Sequence, residues 1–152
     1  MNSLFDFIVE PCGQRYNNEV KVGDTSLIIN TELDSYKSVN NIGKVISTPL
    51  AYKTSIKSGD LVMIHHNVFR RFYDIKGKEK NSRAYFKNNL YFVQLDQIYL
   101  YKKNNKWQSF GDRCFIAPIK NNDEINASLE QSLIGILKYG NNSLEALGIT
   151  EG

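Results

Sequence analysis

Residues 56–66 read IKSGDLVMIHH. The first half is polar and turn-forming, and the second is an apolar, β-prone run, so the stretch reads as a tight turn that delivers the chain into a strand. Gly59 supplies a backbone conformation that a Cβ disfavours, and Asp60 is placed to accept local backbone N–H groups. Alternation from Leu61 and Met63 is expected to set one face of the strand toward a core. Outward from this point the same pattern recurs at residues 5–11 (ending at Pro11), 25–33, 42–47, 91–94, 97–103 and 113–119, and the strand begun at Asp60 extends to 69. Clusters such as CGQRYNN, SVNN, KNN and KNND punctuate them. Many short strands with regular turns predict an all-β sandwich or barrel. No segment sustains a helical period, and SLEQSL (128–133) makes one helical turn at most.

The chain has 152 residues, enough for one domain or one domain and part of another, and 41% of them are apolar, enough for a core. It carries no run of eighteen apolar residues, so a membrane helix is not expected. The start MNSLFDFIVEP lacks the pattern of a secretory signal. Two cysteines, Cys12 and Cys114, make no disulfide framework and fit a reducing setting. A net charge of +3 implies no nucleic-acid partner by itself.

Three landmarks occur twice in the same order. FIVEP (7–11) is echoed by CFIAP (114–118), IGKVIS (42–47) by IGILKY (134–139), and IKSG (56–59) by ITEG (149–152). The pattern reads as an internal duplication whose second copy lacks most of what residues 12–41 add to the first. After IKSG the first copy enters its buried strand, whereas ITEG stands just before the counterpart. A half-built barrel leaves strand edges unpaired. The expectation is that the chain is part of a longer protein, or else that a neighbouring subunit completes the second copy.

The landmarks FIVEP, SLII (26–29), GKVIS (43–47), IKSGDLVMI (56–64) and LDQIYLY (95–101) together resemble the GroES family of small co-chaperonins, over residues 5–101. The resemblance implies a GroES-like, partly open β-barrel in residues 1–104. A partial, incomplete second repeat would then fill residues 105–152. It also implies a non-enzymatic, ring-forming homo-oligomer that needs no cofactor and helps a large ATP-dependent chaperonin to fold proteins. Leu27, Ile28 and Ile29 would then be the aliphatic triplet of a mobile loop that docks in an apolar groove of that chaperonin. The long segment 12–41, the insertion 67–89 and the second repeat depart from the family pattern. With the Asn- and Lys-rich composition, they resemble what large tailed bacteriophages encode, which places the protein in an infected host's cytoplasm, acting on capsid protein. The rival expectation is a phage virion or assembly protein that uses the barrel as an interaction scaffold. An ordered hairpin at 21–33 favours the scaffold, and a mobile loop favours the co-chaperonin.

The insertion 67–89 holds Arg70, Arg71, Lys76, Lys78, Lys80, Arg83 and Lys87 against Asp74 and Glu79, with Phe69, Phe72, Tyr73, Tyr85 and Phe86 interleaved. Basic residues among aromatics can grip single-stranded nucleic acid. The preferred expectation is a solvated hairpin whose aromatics cover the barrel end, with Lys and Arg outward; a contact surface for an acidic capsid or chaperonin protein stands between the two. His65 and His66 are adjacent on a predicted strand and therefore expected on opposite faces, which disfavours a shared metal. Cys12 and Cys114 are expected as small buried side chains. No catalytic or phosphate-binding motif is present.

Overall fold

A computed structural model describes residues 2–28, 35–120 and 130–152, with the backbone alone for Lys120 and Glu130–Leu133. The described chain is nearly all β, as the turn punctuation requires. In order it forms β1 (Phe7–Pro11), β2 (Glu19–Val22), β3 (Thr25–Ile28), β4 (Ile42–Ser47), β5 (Leu61–Ile64), β6 (Arg71–Tyr73), β7 (Glu79–Asn81), β8 (Tyr85–Lys87), β9 (Leu90–Val93), β10 (Ile98–Lys103), β11 (Lys106–Ser109), β12 (Phe115–Lys120), β13 (Glu130–Tyr139) and α1 (Asn142–Ala146). It divides into two compact units, Met1–Lys102 and Lys103–Gly152.

In the first unit, strands run in the order β10-β5-β4-β1-β9-β8. Every pairing is antiparallel, and the sheet stays open among the described residues. β1 is central, between β4 and β9. Phe7, Ile8 and Val9 are all fully buried. Strict alternation would expose one of them, but a bulge between Ile8 and Val9 in the β4 pairing resets the register. Val45, Val62, Ile64, Phe69, Tyr91 and Ile98 are among the residues that pack with them in the core. The β8–β9 hairpin turns through Asn88 and Asn89, both at positive φ, the signature of a type I′ turn.

The Gly59-Asp60 turn is as expected: Gly59 has φ +94°, and Asp60 Oδ2 accepts from Lys57 N at 2.8 Å. The phase of β5 is not. Val62 and Ile64 are buried while Leu61 and Met63 are half-buried. The register explains it: Val62 lies opposite Gly43, whose core-facing side has room for no side chain of its own.

In the second unit, β12 and β13 form a two-stranded sheet. Residues 130–133 lie in β13, so the part of SLEQSL within the described residues is strand and not a helical turn. The stretch before ITEG is α1. Asn141 Oδ1 caps it by accepting from Leu144 N at 2.9 Å. Gly148 (φ +77°) ends it, with Ile149 N bonded to Leu144 O and Gly148 N to Glu145 O.

Candidate interaction surfaces

The long segment 12–41 is rooted in the sheet by a short stalk. Cys12 N bonds Ile42 O (2.9 Å), Asn40 N bonds Arg15 O (2.9 Å), and Asn17 N bonds Ser38 O (2.7 Å). Asn40, nearly fully buried, donates from Nδ2 to Cys12 O (3.0 Å) and Gln14 O (2.9 Å), and its Oδ1 accepts from Ile42 N (2.9 Å). One amide side chain thus satisfies three backbone groups that the strand ladder leaves unpaired. Beyond the stalk, β2 and β3 pair as a regular hairpin through Gly23 (φ +62°) and Asp24.

The register sorts this hairpin into two faces. Val20 lies opposite Leu27 and Val22 opposite Thr25, so Val20, Val22 and Leu27 share one face. Glu19, Lys21, Ser26 and Ile28 share the other, where Ser26 Oγ donates to Glu19 Oε2 at 2.8 Å. Leu27 is 52% and Ile28 64% exposed. The predicted triplet is therefore split: Leu27 belongs to the apolar face, Ile28 to the polar one, and Ile29 lies outside the described residues. Sequence reasoning missed Val20 and Val22, although their alternation with Lys21 was the available signal.

The basic insertion forms a second hairpin, β6–β7, with Phe72 opposite Lys80 and Tyr73 opposite Glu79. Asp74 Oδ1 accepts from Lys76 N and Lys78 N, each at 2.9 Å, and closes its turn. Lys76, Lys78, Lys80, Arg83 and Lys87 are exposed. Lys87 Nζ lies 5.1 Å from the Phe86 ring, itself 5.0 Å from Phe92. Arg70 and Arg71 are half-buried and belong to the base of the hairpin. Arg71 pairs with Glu79 at 2.8 Å and stacks 4.9 Å over Tyr16. Phe72, Tyr73 and Ile75 are exposed; Tyr85 and Phe86 are 37% exposed and lie against Tyr91 and Phe92, so of the five aromatics expected to cover the barrel end only Phe69 is fully buried.

Both hairpins share one root. Arg15 Nε and Nη2 donate to Phe69 O (3.0 and 2.8 Å), Nη1 donates to Asn81 Oδ1 (2.7 Å), and the guanidinium lies 5.3 Å over Tyr91. Burial lowers the Arg15 pKa from its ordinary value. Tyr16 Oη accepts from Arg71 N at 2.7 Å. Neither residue was singled out by sequence, because a lone Arg-Tyr pair in a polar loop carries no pattern.

His65 and His66 do not point to opposite faces. β5 ends at Ile64, and the chain turns into a 3-10 turn at His66–Val68, capped by His65 Nδ1, which accepts from Asn67 N at 3.1 Å. The two imidazoles stack at 4.4 Å. Among the described residues no cluster of three His, Cys, Asp or Glu is placed to hold a metal. The His66 pKa is lowered by desolvation, then by His65 and Arg70. The unfolded chain therefore binds more protons just below pH ~6.5, the ordinary His value. Stability is full above that pH and declines as pH falls through the folded value. A small fall in melting temperature between about pH 7 and pH 5 is expected, and His66→Asn should flatten it.

Cys12 and Cys114 are exposed, not buried: each follows or precedes the paired part of its strand, where the side chain leaves the core. No helix among the described residues is long and apolar enough to cross a membrane. No known protein family, curated protein or solved structure matches the chain. The GroES resemblance therefore rests on the sequence landmarks.

Proposed function

We propose that this chain is a non-enzymatic interaction protein of the co-chaperonin type, phage-encoded, which docks on a large ATP-dependent chaperonin through the β2–β3 hairpin. The observation that carries this reading is the exposure of Val20, Val22, Leu27 and Ile28 on a hairpin that contributes nothing to the buried core. Aliphatic side chains on a projecting two-stranded element fit an apolar groove. The exposed lysines of β6–β7 and its flanks add a basic surface suited to an acidic protein partner. A second reading, a virion or assembly scaffold, is favoured by the regular pairing of β2 with β3 and by the stalk beneath it, since a hairpin is a less pliable docking element than a loop.

The test is a nucleotide-dependent pull-down with the host chaperonin, beside thermal melting. Leu27→Ala should leave the melting temperature unchanged, because nothing in the core is lost. It should weaken docking about tenfold, from ~1.5 kcal/mol of lost apolar burial. A large loss of stability, or retention of an unmodified protein that Leu27→Ala and Val20→Ala do not affect, turns the assignment to the scaffold.

A further inference from the structure

The hairpin β6–β7 is firmly built and yet covers nothing. Gly77, at φ +71°, donates from N to Asp74 O at 2.9 Å, and Asp74 N donates to Lys78 O at 2.9 Å, so Ile75, Lys76 and Gly77 connect the strands in a tight turn. Arg15 ties the base through Asn81 Oδ1, and Ser82 Oγ donates to Val68 O at 2.5 Å. Beyond that base the side chains stand in water. Phe72 is 40% and Tyr73 57% exposed, and Ile75 at the tip is wholly so. Rings left in water on a well-paired ribbon are unfavourably placed until a partner covers them.

The charge around these rings is one-sided. Lys76, Lys78, Lys80, Arg83 and Lys87 are exposed, and among the described residues none of them is in an ion pair. The carboxylates of the segment are already engaged. Asp74 Oδ1 holds the turn, and Glu79 Oε1 accepts from Arg71 Nη1 at 2.8 Å. The register puts ring and cation together. Phe72 lies directly opposite Lys80, so the two share a face, and alternation carries Lys78 to the same side. Tyr73 belongs to the other face, with Arg71 and Glu79. Farther along, Lys87 Nζ stands 5.1 Å from the partly exposed Phe86 ring, so the pairing of a cation with an open ring recurs at β8.

We infer that the Phe72–Lys80 face of β6–β7 binds single-stranded nucleic acid without regard to sequence. A base stacks on the Phe72 ring, and the phosphates on either side of it take Lys78 and Lys80. The lysines alone suit any polyanion, and the rings select among them. An acidic protein surface satisfies the lysines and gives the rings no planar partner. A lipid bilayer needs an uncharged tip to enter it, and here Ile75 lies between Asp74 and Lys76. A duplex keeps its base faces against one another, so only a single strand offers them to Phe72. Lys78, Lys80 and Phe72 include no Asn, Gln or Arg of the kind that reads base edges, hence the lack of sequence preference. This inference stands apart from the docking assigned to β2–β3.

The experiment titrates the full chain into a fluorescein-labelled oligo-dT of about fifteen nucleotides and reads anisotropy between about 20 and about 200 mM salt. The logarithm of the association constant should fall with the logarithm of salt at a slope of about −2, from three phosphate contacts at about 0.7 each. Changing Lys78→Gln and Lys80→Gln together should flatten that slope by about 1.4. Phe72→Leu should weaken binding about tenfold and leave the slope as it was, because it removes stacking and no charge. Neither change touches the core, so the melting temperature should hold in both. No anisotropy change at about 100 µM protein and the lowest salt overturns the inference. So does parent-like binding by Phe72→Leu, which would mean that charge alone acts, as it would toward an acidic protein. Tighter binding to the same oligonucleotide annealed to its complement also overturns it, because the ligand is then a duplex backbone.

Discussion

Asn40→Asp is expected to destabilise the first unit by about 3–5 kcal/mol and to unfold a large fraction of the protein at 37 °C. The amide donates to two carbonyl oxygens at 3.0 and 2.9 Å and accepts one N–H at 2.9 Å. A carboxylate keeps the acceptor and replaces both donors with charge aimed at two oxygens, in a site only 5% exposed. Unpaired buried charge is the larger effect, because the group must either stay ionised against those oxygens or take up a proton. The pH dependence identifies this cause. The introduced carboxyl has its folded pKa raised, so the folded state binds more protons, and stability falls as pH rises from ~4, the unfolded value, through the folded one. Part of the loss should therefore be recovered at acid pH. Asn40→Ala should cost less, about 2–4 kcal/mol, without that pH dependence. Chemical denaturation at two pH values separates the two variants. An equal loss in both, unchanged with pH, would mean that shape and not charge governs the site.

Gly43→Ala should cost about 2–3 kcal/mol, and Gly135→Ala less, about 1–2 kcal/mol. The local clash is nearly identical, 2.3 Å to Val9 Cγ1 and 2.2 Å to Ile116 Cγ2, so geometry at the glycine alone predicts equal effects. The surroundings decide otherwise. Val9 is fully buried, and Phe69 Cζ stands 3.2 Å from the same position, so neither neighbour can rotate away in a close-packed core. Ile116 is mostly exposed and can turn toward solvent, but Ala117 O stands 2.9 Å from the same position, closer than Glu10 O at 3.2 Å from that of Gly43, so the strand backbone must still give. Hydrogen exchange of the β1–β4 and β12–β13 amides reads the two units separately.

The ribbon of β1 and β4, with Pro11 opposite Gly43, and its echo in β12 and β13, with Pro118 opposite Gly135, were legible in the sequence because their two fixed points are constrained. A proline in a paired strand needs a neighbour that asks it for no hydrogen bond, and a glycine whose missing Cβ seats a valine or isoleucine is exchanged only at a cost in packing. Those constraints left Pro11, Gly43 and Gly59 with visible echoes. The strand at 42–47 and the Gly59-Asp60 turn were readable for the same reason. The phase of β5 was not, because alternation tells which residues share a face and not which face is covered. His65 and His66 were misplaced because the strand expected to run to residue 69 ends at Ile64, and a 3-10 turn brings neighbours together that a strand separates. Asn40, Arg15 and Tyr16 left no trace, since their roles depend on carbonyls and rings brought near by tertiary structure. For β2–β3, alternation alone splits Leu27 from Ile28, but placing Leu27 on one face with Val20 and Val22 required the register, which a two-residue turn sets and composition does not.

The position of β1 has a consequence for the order of folding. It is synthesised before both of its neighbours, of which β4 follows early while β9 comes near the end of the unit. Pairs such as Phe7 with Val93 close a loop spanning most of the first unit, and contacts so distant in sequence form late and slow folding toward the millisecond-to-second range. On the ribosome, one edge of the strand that carries Phe7, Ile8 and Val9 stays bare until β9 has emerged, an interval in which that apolar run is open to wrong partners. Substitutions that hasten the β8–β9 turn at Asn88 and Asn89 should therefore raise the yield of folded protein during synthesis more than they raise its equilibrium stability.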